Sequence, residues 1–408
     1  MGVQFQKRVL PGGLTVIAEV DPSAHSAAAG FFVRTGARDE PREVMGVSHF
    51  LEHMMFKGYG DVSSEALNAA FDDMGASNNA YTSHEVTCFH ARVTPDRTAD
   101  ALELLARMLR PALRTEDFDT EKQVILEEIA MYKDNPYWVL ADAANDRHYG
   151  AHSLGYRVLG TEESVGAMTP AQMGGYFERR YGTRNTVVAL AGNLDFDAAC
   201  DLLAATCSDW KPGDSGRDTA APRVGGGGFV VEDAKVTRTY MLGMARGASD
   251  KDDRRYAAML AAQVLGGGDN SRLHWALIEP GIAEEAWASF DAHDGIGDFA
   301  LFASGDPDEA DRIWEVALAE ARALGDKLTE DDLTKVRSRI ATAAAVHAEK
   351  PSDRMQRIGR HWSARGEYVP LSEELGRVAR VDVKSVRGYL ADFPIEPTTW
   401  GRLTPARA

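Results

Sequence analysis

Cysteine is scarce: the chain has only Cys88, Cys200 and Cys207. No Cys-x-x-Cys pair occurs among them, which excludes a disulfide scaffold and a cysteine zinc ribbon. Buried free thiols in a reducing, cytoplasmic compartment are expected instead. No apolar run approaches the ~18 residues of a membrane span. The stretch Gly2-Val3-Gln4-Phe5-Gln6-Lys7-Arg8 lacks the apolar core of a secretory signal, so no membrane partner is expected. Positive charge is in deficit, with 45 Lys and Arg against 62 Asp and Glu and a formal net charge of −17. A binder of the phosphate backbone needs the opposite surplus, so nucleic acid is excluded as a generic partner. Neither GxGxxG after a first strand nor GxxxxGK[ST] is present, which removes the usual nucleotide cradles.

What is present is ordinary globular material: 408 residues, 44% hydrophobic and 26% charged, room for two or three domains. The run Lys211–Gly228 is rich in Pro, Gly and small polar residues and reads as a linker. It separates a domain over 1–210 from one over 229–408. Landmarks repeat across it. Gly36 and Gly247, each after a β-rich run and before a long helix, lie 211 positions apart, as do Ala99-Asp100 and Ala310-Asp311. Thr115-Glu-Asp and Thr329-Glu-Asp, both natural helix starts, lie 214 apart. A repeat this long marks a duplicated domain, not a solenoid. Each half reads as α+β, a mostly antiparallel sheet with helices packed on one face. In the first half, helices are predicted near 42–57, 63–74, 97–110, 116–135, 137–148 and 170–180. Strands are predicted at 14–18, 87–91 and 186–191.

The sharpest motif is His49-Phe-Leu-Glu52-His53. On a helix, His49 and His53 stand one turn apart on one face, which lets both imidazoles reach a single Zn²⁺. Glu52 lies to the side, able to reach a water without binding the metal; this is the H-x-x-E-H arrangement. Two histidines on an apolar helix face are costly to bury without partners. A catalytic zinc takes three protein ligands, and the helix from Asp119 to Ala130 offers acids. Glu121 and Glu128 share one face, and Glu127 is turned about 100° away.

Gly46-Val-Ser-His-Phe-Leu-Glu-His-Met-Met-Phe-Lys-Gly58 resembles the core motif of the pitrilysin/insulysin metallopeptidases. Glu121–Ile129 resembles that family's second motif, Ser77–Thr82 its Asn-Ala-x-Thr strand, and Val264–Leu273 its glycine-rich segment. The resemblance covers nearly the whole chain and implies two homologous domains around a peptide-binding cavity. Carried over, it makes His49, His53 and Glu128 the ligands of one zinc per chain. It makes Glu52 the catalytic base, with Glu121 supporting the catalytic site, and places Asn79 and Ala80 on an edge strand that pairs with the substrate backbone. The implied chemistry is zinc-dependent hydrolysis of peptides or short unfolded segments. Zn²⁺ polarises the carbonyl and acidifies water, and Glu52 takes the proton and passes it to the leaving amine.

In the second half, offsets of 211 and 214 bring Leu260, Gln263, Val264, Lys335 and Thr342 to the motif positions, so no metal site is expected there. One departure stands out. Active members carry an Arg and a Tyr in a second-half stretch that here reads Glu279-Pro-Gly-Ile-Ala-Glu-Glu-Ala286, with Pro280 and Glu284 at those places. Either this chain uses other groups, or a partner supplies the pair in a homodimer or a heterodimer with a sister subunit, or the activity is weakened or altered. The alternative is a non-catalytic or partner-dependent structural subunit of a peptidase-like complex.

Overall fold

Two runs with no polar face, Ala27–Val33 and Thr186–Gly192, are buried at every position. A strand buried on both faces needs cover on both, and that requirement organises each half of the protein. The computed structural model describes residues 2–406.

In chain order the first-half strands are β1 (Gln4–Val9), β2 (Thr15–Val20), β3 (Ala27–Val33), β4 (Ser77–Thr82), β5 (Thr87–Val93) and β6 (Thr186–Gly192). The helices among them are α1 (Val47–Met55), α2 (Ser64–Asp73), α3 (Thr98–Met108), α4 (Thr115–Tyr132) and α5 (Pro136–Tyr149). Then come α6 (Glu162–Ala167), α7 (Pro170–Arg180) and α8 (Phe196–Thr206). The second half has β7 (Gly227–Asp233), β8 (Thr239–Gly247), β9 (Glu285–Ala292), β10 (Gly297–Gly305) and β11 (Thr399–Pro405). Its helices are α9 (Arg255–Gly266), α10 (Ala310–Lys327), α11 (Glu330–Ala348), α12 (Pro351–Arg365), α13 (Leu371–Arg380) and α14 (Val383–Asp392).

The first sheet has the order β1-β2-β6-β3-β5-β4 and the second β7-β11-β8-β10-β9. Each holds one parallel pair, β2 with β6 and β7 with β11, and is otherwise antiparallel. Without β1 the two orders coincide strand for strand, so the duplication is present in topology as well as in sequence landmarks.

Two units form. One comprises residues up to Ala130, Tyr156–Arg217 and Ala345–Val369; the other comprises Met131–Gly155, Asp218–Ala344 and Pro370 onward. The boundary Arg217/Asp218 falls inside the stretch read as a linker, but two segments cross the sequence division. Helix α12 packs on β2, β3 and β6 of the first sheet, and α5 packs on β8 and β11 of the second. The expectation of helices on one face is therefore corrected. Both faces of each sheet are covered, the second face by a helix from the other half of the chain. On the first sheet, Ile17, Ala28, Phe32, Val187 and Ala189 meet Met355 and Ile358 of α12. The approach is close: a Cβ on Gly359 would lie 2.1 Å from the Phe32 ring.

Charged groups hold α12 as well as packing. Arg354 Nε donates to Glu19 Oε2 at 2.9 Å and its Nη1 to Asp21 Oδ2 at 2.9 Å. Arg357 also donates to Glu19, and Tyr368 Oη donates to Glu19 Oε1 at 3.0 Å. Glu19 and Arg354 are both buried. No helix among the described residues is long and apolar enough to cross a membrane.

Candidate metal centre

The motif helix starts later than the predicted range 42–57. Residues Arg42–Val44 form a separate 3₁₀ turn, and Gly46 has φ +93°, a left-handed conformation that side chains disfavour. A Cβ there would also meet the Leu159 carbonyl at 2.6 Å. Helix α1 therefore begins at Val47. Its first free N–H groups are taken by Glu40, whose carboxylate accepts from Gly46 N at 2.7 Å and Ser48 N at 2.8 Å. Burial pushes the Glu40 carboxyl up to about 8, against the pull of these two bonds.

Val47, Phe50, Leu51, Met54 and Met55 bury one side of α1. Phe50 stacks on Phe118 of α4 with ring centroids 4.7 Å apart, and α4 buries Phe118, Glu121, Ile125 and Ile129 along one stripe. This stack sets α1 against α4 and brings the histidines to the acids.

His49 Nε2 lies 3.7 Å and His53 Nε2 3.8 Å from Glu128 Oε2. All three ligand atoms lie within 4.8 Å of one another. Bonds of ~2.0–2.1 Å to a tetrahedral ion place ligand atoms roughly 3.3–3.5 Å apart, so the trio must draw together to hold one. Burial, helped by the neighbouring His53, pushes the His49 imidazole down to about 4. It is thus neutral at physiological pH, with a lone pair free for a metal. His53 Nδ1 is 3.0 Å from Glu121 Oε2, and Lys57 Nζ is 2.5 Å from Glu121 Oε1. Glu121, itself buried, thereby turns the other nitrogen of His53 toward Glu128. Among the described residues no other His, Cys, Asp or Glu trio converges in this way.

Glu52 sits between the helix and the sheet. Its Oε2 accepts from Thr82 Oγ1 at 2.6 Å. Burial raises its pKa, while Thr82 and His53 act in the opposite sense. Asn79 and Ala80 lie on β4, which pairs only with β5 and ends the sheet. Ala80 N–H donates to Asn79 Oδ1 at 2.8 Å, so the Asn79 side chain covers a main-chain donor of the edge strand. Thr82, which completes the Asn-Ala-x-Thr run, received no role from the sequence.

The second unit holds apolar or neutral groups at the matching places. Leu260, Gln263 and Val264 lie on α9 as expected. On α11 the buried positions Leu333 and Val336 match Phe118 and Glu121 at an offset of 215, not 214. Val336 and Ala343, not Lys335 and Thr342, therefore stand for Glu121 and Glu128. Pro280 and Glu284 fall in the turn before β9, where Glu284 pairs with Arg238 at 2.5 Å. His148, spaced i, i+4 from His152, is buried; its ring nitrogens lie 3.0 Å from Thr399 Oγ1 and 3.1 Å from Asp298 Oδ1, fastening α5 to the second sheet.

Fold and site together define a duplicated α+β chain in which, among the described residues, only the first unit holds a two-histidine, one-carboxylate centre. The chain belongs to the insulinase family of peptidases, family M16. The family model matches residues 15–162, and that of the M16 inactive domain matches 167–340. It is 32% identical to an uncharacterised zinc protease of Mycobacterium tuberculosis (strain H37Rv), over 93% of this chain and 89% of that one. It is 30% identical to one of Streptomyces coelicolor, over 95% and 86%. The uncharacterised zinc protease YmxG of Bacillus subtilis is 27% identical over 97% of both chains. In fold the chain is similar to a protease from Helicobacter pylori, with TM-score 0.90, 18% identity and coverage of 98% and 99%. A chain of complex III2 from Candida albicans matches at TM-score 0.84, 18% identity and coverage of 99% and 96%.

Proposed function

We propose that this chain is a zinc-dependent endopeptidase acting on peptides or short unfolded segments. The observation that carries the reading is the convergence of His49, His53 and Glu128 beside the half-buried carboxylate of Glu52. The zinc in the relatives' names and the two-imidazole, one-carboxylate donor set both favour Zn²⁺. One ion per chain would be held by His49, His53 and Glu128. Bound there, it would supply Lewis-acid polarisation of the scissile carbonyl and a lowered pKa for the attacking water. Glu52 takes the water's proton and delivers it to the leaving amine, a task that burial favours by raising its carboxyl above the ordinary value. A peptide in extended form adds to the free edge of β4 at Asn79 and Ala80, taking the Ala80 N–H from the Asn79 side chain.

The missing Arg/Tyr pair favours a working unit of two chains, either two copies or this chain with a sister subunit that brings those groups. The same absence is the one feature that favours a non-catalytic subunit. Against that stands an intact ligand set with its supporting carboxylate, which a structural subunit has no need to keep.

Metal analysis of the purified protein, with hydrolysis of fluorogenic peptides followed before and after chelation, tests the proposal. We expect about one zinc per chain, loss of activity with a chelator such as phenanthroline, and recovery on adding Zn²⁺. Hydrolysis that persists in metal-free protein overturns it. Glu121→Gln is expected to weaken zinc binding about 10–100-fold, read by competition with a chromophoric chelator, because His53 loses the carboxylate that orients its ring.

A further inference from the structure

Thr82 is the last residue of β4, and side chains alternate along that strand. Tyr81 points to the α12 side, where its hydroxyl donates to Gln356 Oε1 at 2.9 Å and accepts from Arg360 Nε at 3.0 Å. Ala80 and Thr82 point the other way, Ala80 into the core beneath α1 and Thr82 to Glu52. The Thr82 hydroxyl is therefore carried by the same edge strand that offers its backbone to a peptide.

That strand end is held on both sides. Ser83 N donates to Val86 O at 2.9 Å and Ser83 Oγ to the same carbonyl at 3.0 Å, closing the turn after Thr82. The carbonyls of Ser83 and His84 accept from Ala37 N at 3.2 Å and Arg38 N at 2.9 Å in the segment leading to α1. A β-branched side chain has a restricted χ1, so a threonine on this fixed backbone presents its hydroxyl in one direction. Glu52, by contrast, ends a flexible stem.

We propose that Thr82 is the positioning residue of the catalytic base, ranking the two oxygens of Glu52 and tying the base to the strand that receives substrate. The inference rests on the peptidase reading of this site. The Thr82 proton stays on Thr82 and is donated to Oε2. This leaves Oε1 as the oxygen that accepts the proton of the attacking water and gives it up to the leaving amine. A carboxylate without this bond rotates and presents either oxygen.

Thr82→Val keeps the shape of the side chain and removes the donor. Steady-state peptide hydrolysis by the zinc-loaded protein is the test, with zinc content measured for every variant. We expect kcat to fall roughly ten-fold or more, the usual scale for a hydrogen bond to a charged group. KM should stay within about two-fold and zinc at one per chain, since backbone pairing with β4 and the ligand set are untouched. Thr82→Ser should regain most of kcat, and Thr82→Val added to Glu52→Gln should lower the residual rate no further. The proposal is overturned if Thr82→Val keeps kcat within about two-fold, if the loss falls on KM, if serine does not rescue, or if the double variant shows additive losses. Full activity in Glu52→Gln alone shows that the base lies elsewhere, and absence of hydrolysis by the unsubstituted zinc-loaded protein defeats the peptidase reading itself; both are different outcomes from any of these.

Discussion

Glu52→Gln is expected to lower peptide turnover by about 10²–10⁴-fold, the range for loss of a positioned general base, while zinc stays at one per chain. The substitution preserves volume and leaves an oxygen that can still accept from Thr82, but it removes the group that carries the proton. The ligand atoms of His49, His53 and Glu128 are untouched, so metal content separates loss of the base from loss of the site. Burial has already lifted the Glu52 carboxyl above its ordinary range, with Thr82 and His53 holding the rise in check. Matched measurements of kcat and zinc for the two proteins decide the point. A variant that keeps both zinc and full turnover has its base elsewhere.

The second large effect is one of stability. Glu19→Ala is expected to cost about 3–5 kcal/mol in denaturant unfolding, the scale for removing one partner of a buried ion pair. Arg354 is buried, and Glu19 is its partner at Nε; the same carboxylate also holds Arg357 and Tyr368. Its removal leaves Arg354 with only Asp21 and frees the inner side of α12. An additional expectation is selective: hydrogen exchange should rise in 351–365 more than in α5, which is fastened by His148 on the other sheet. An unfolding free energy unchanged within about 1 kcal/mol would show that apolar packing alone holds α12, against the range expected for a broken buried pair.

This helix also marks where the sequence stopped being informative. The i, i+4 histidines with Glu52 one residue before the second specify a metal-binding helix from spacing alone, and the structure places them as that spacing requires. Glu128 was one of several acids on its helix, and only the family resemblance singled it out. The exchange of α5 and α12 between halves was not visible, because an apolar stripe such as Met355 and Ile358 does not say which sheet it faces. The requirement was nevertheless present in β3 and β6, which have no polar face and so demand cover on both sides. Glu19, an acid in a strand with buried neighbours, called for cationic partners, and α12 carries Arg354 and Arg357.

Smaller discrepancies have equally local causes. The helix is predicted from 42, but the left-handed Gly46 and the cap from Glu40 set the start of α1 at Val47. Matching Thr115 to Thr329 put the second-half helix one residue out of register, because Thr115 is not the cap expected but the first residue of α4, while Thr329 precedes α11 and caps it. Thr82 was within the recognised strand motif, yet a hydroxyl on a strand carries no spacing signal. Only the fold shows that it reaches across to α1.

Anomalous diffraction at the zinc edge, from crystals of the protein grown with Zn²⁺, tests the central claim most directly. The account predicts one strong peak about 2.0–2.1 Å from His49 Nε2, His53 Nε2 and a carboxylate oxygen of Glu128, and none between α9 and α11. Absence of a peak at those three residues, in protein shown to carry zinc, would contradict it.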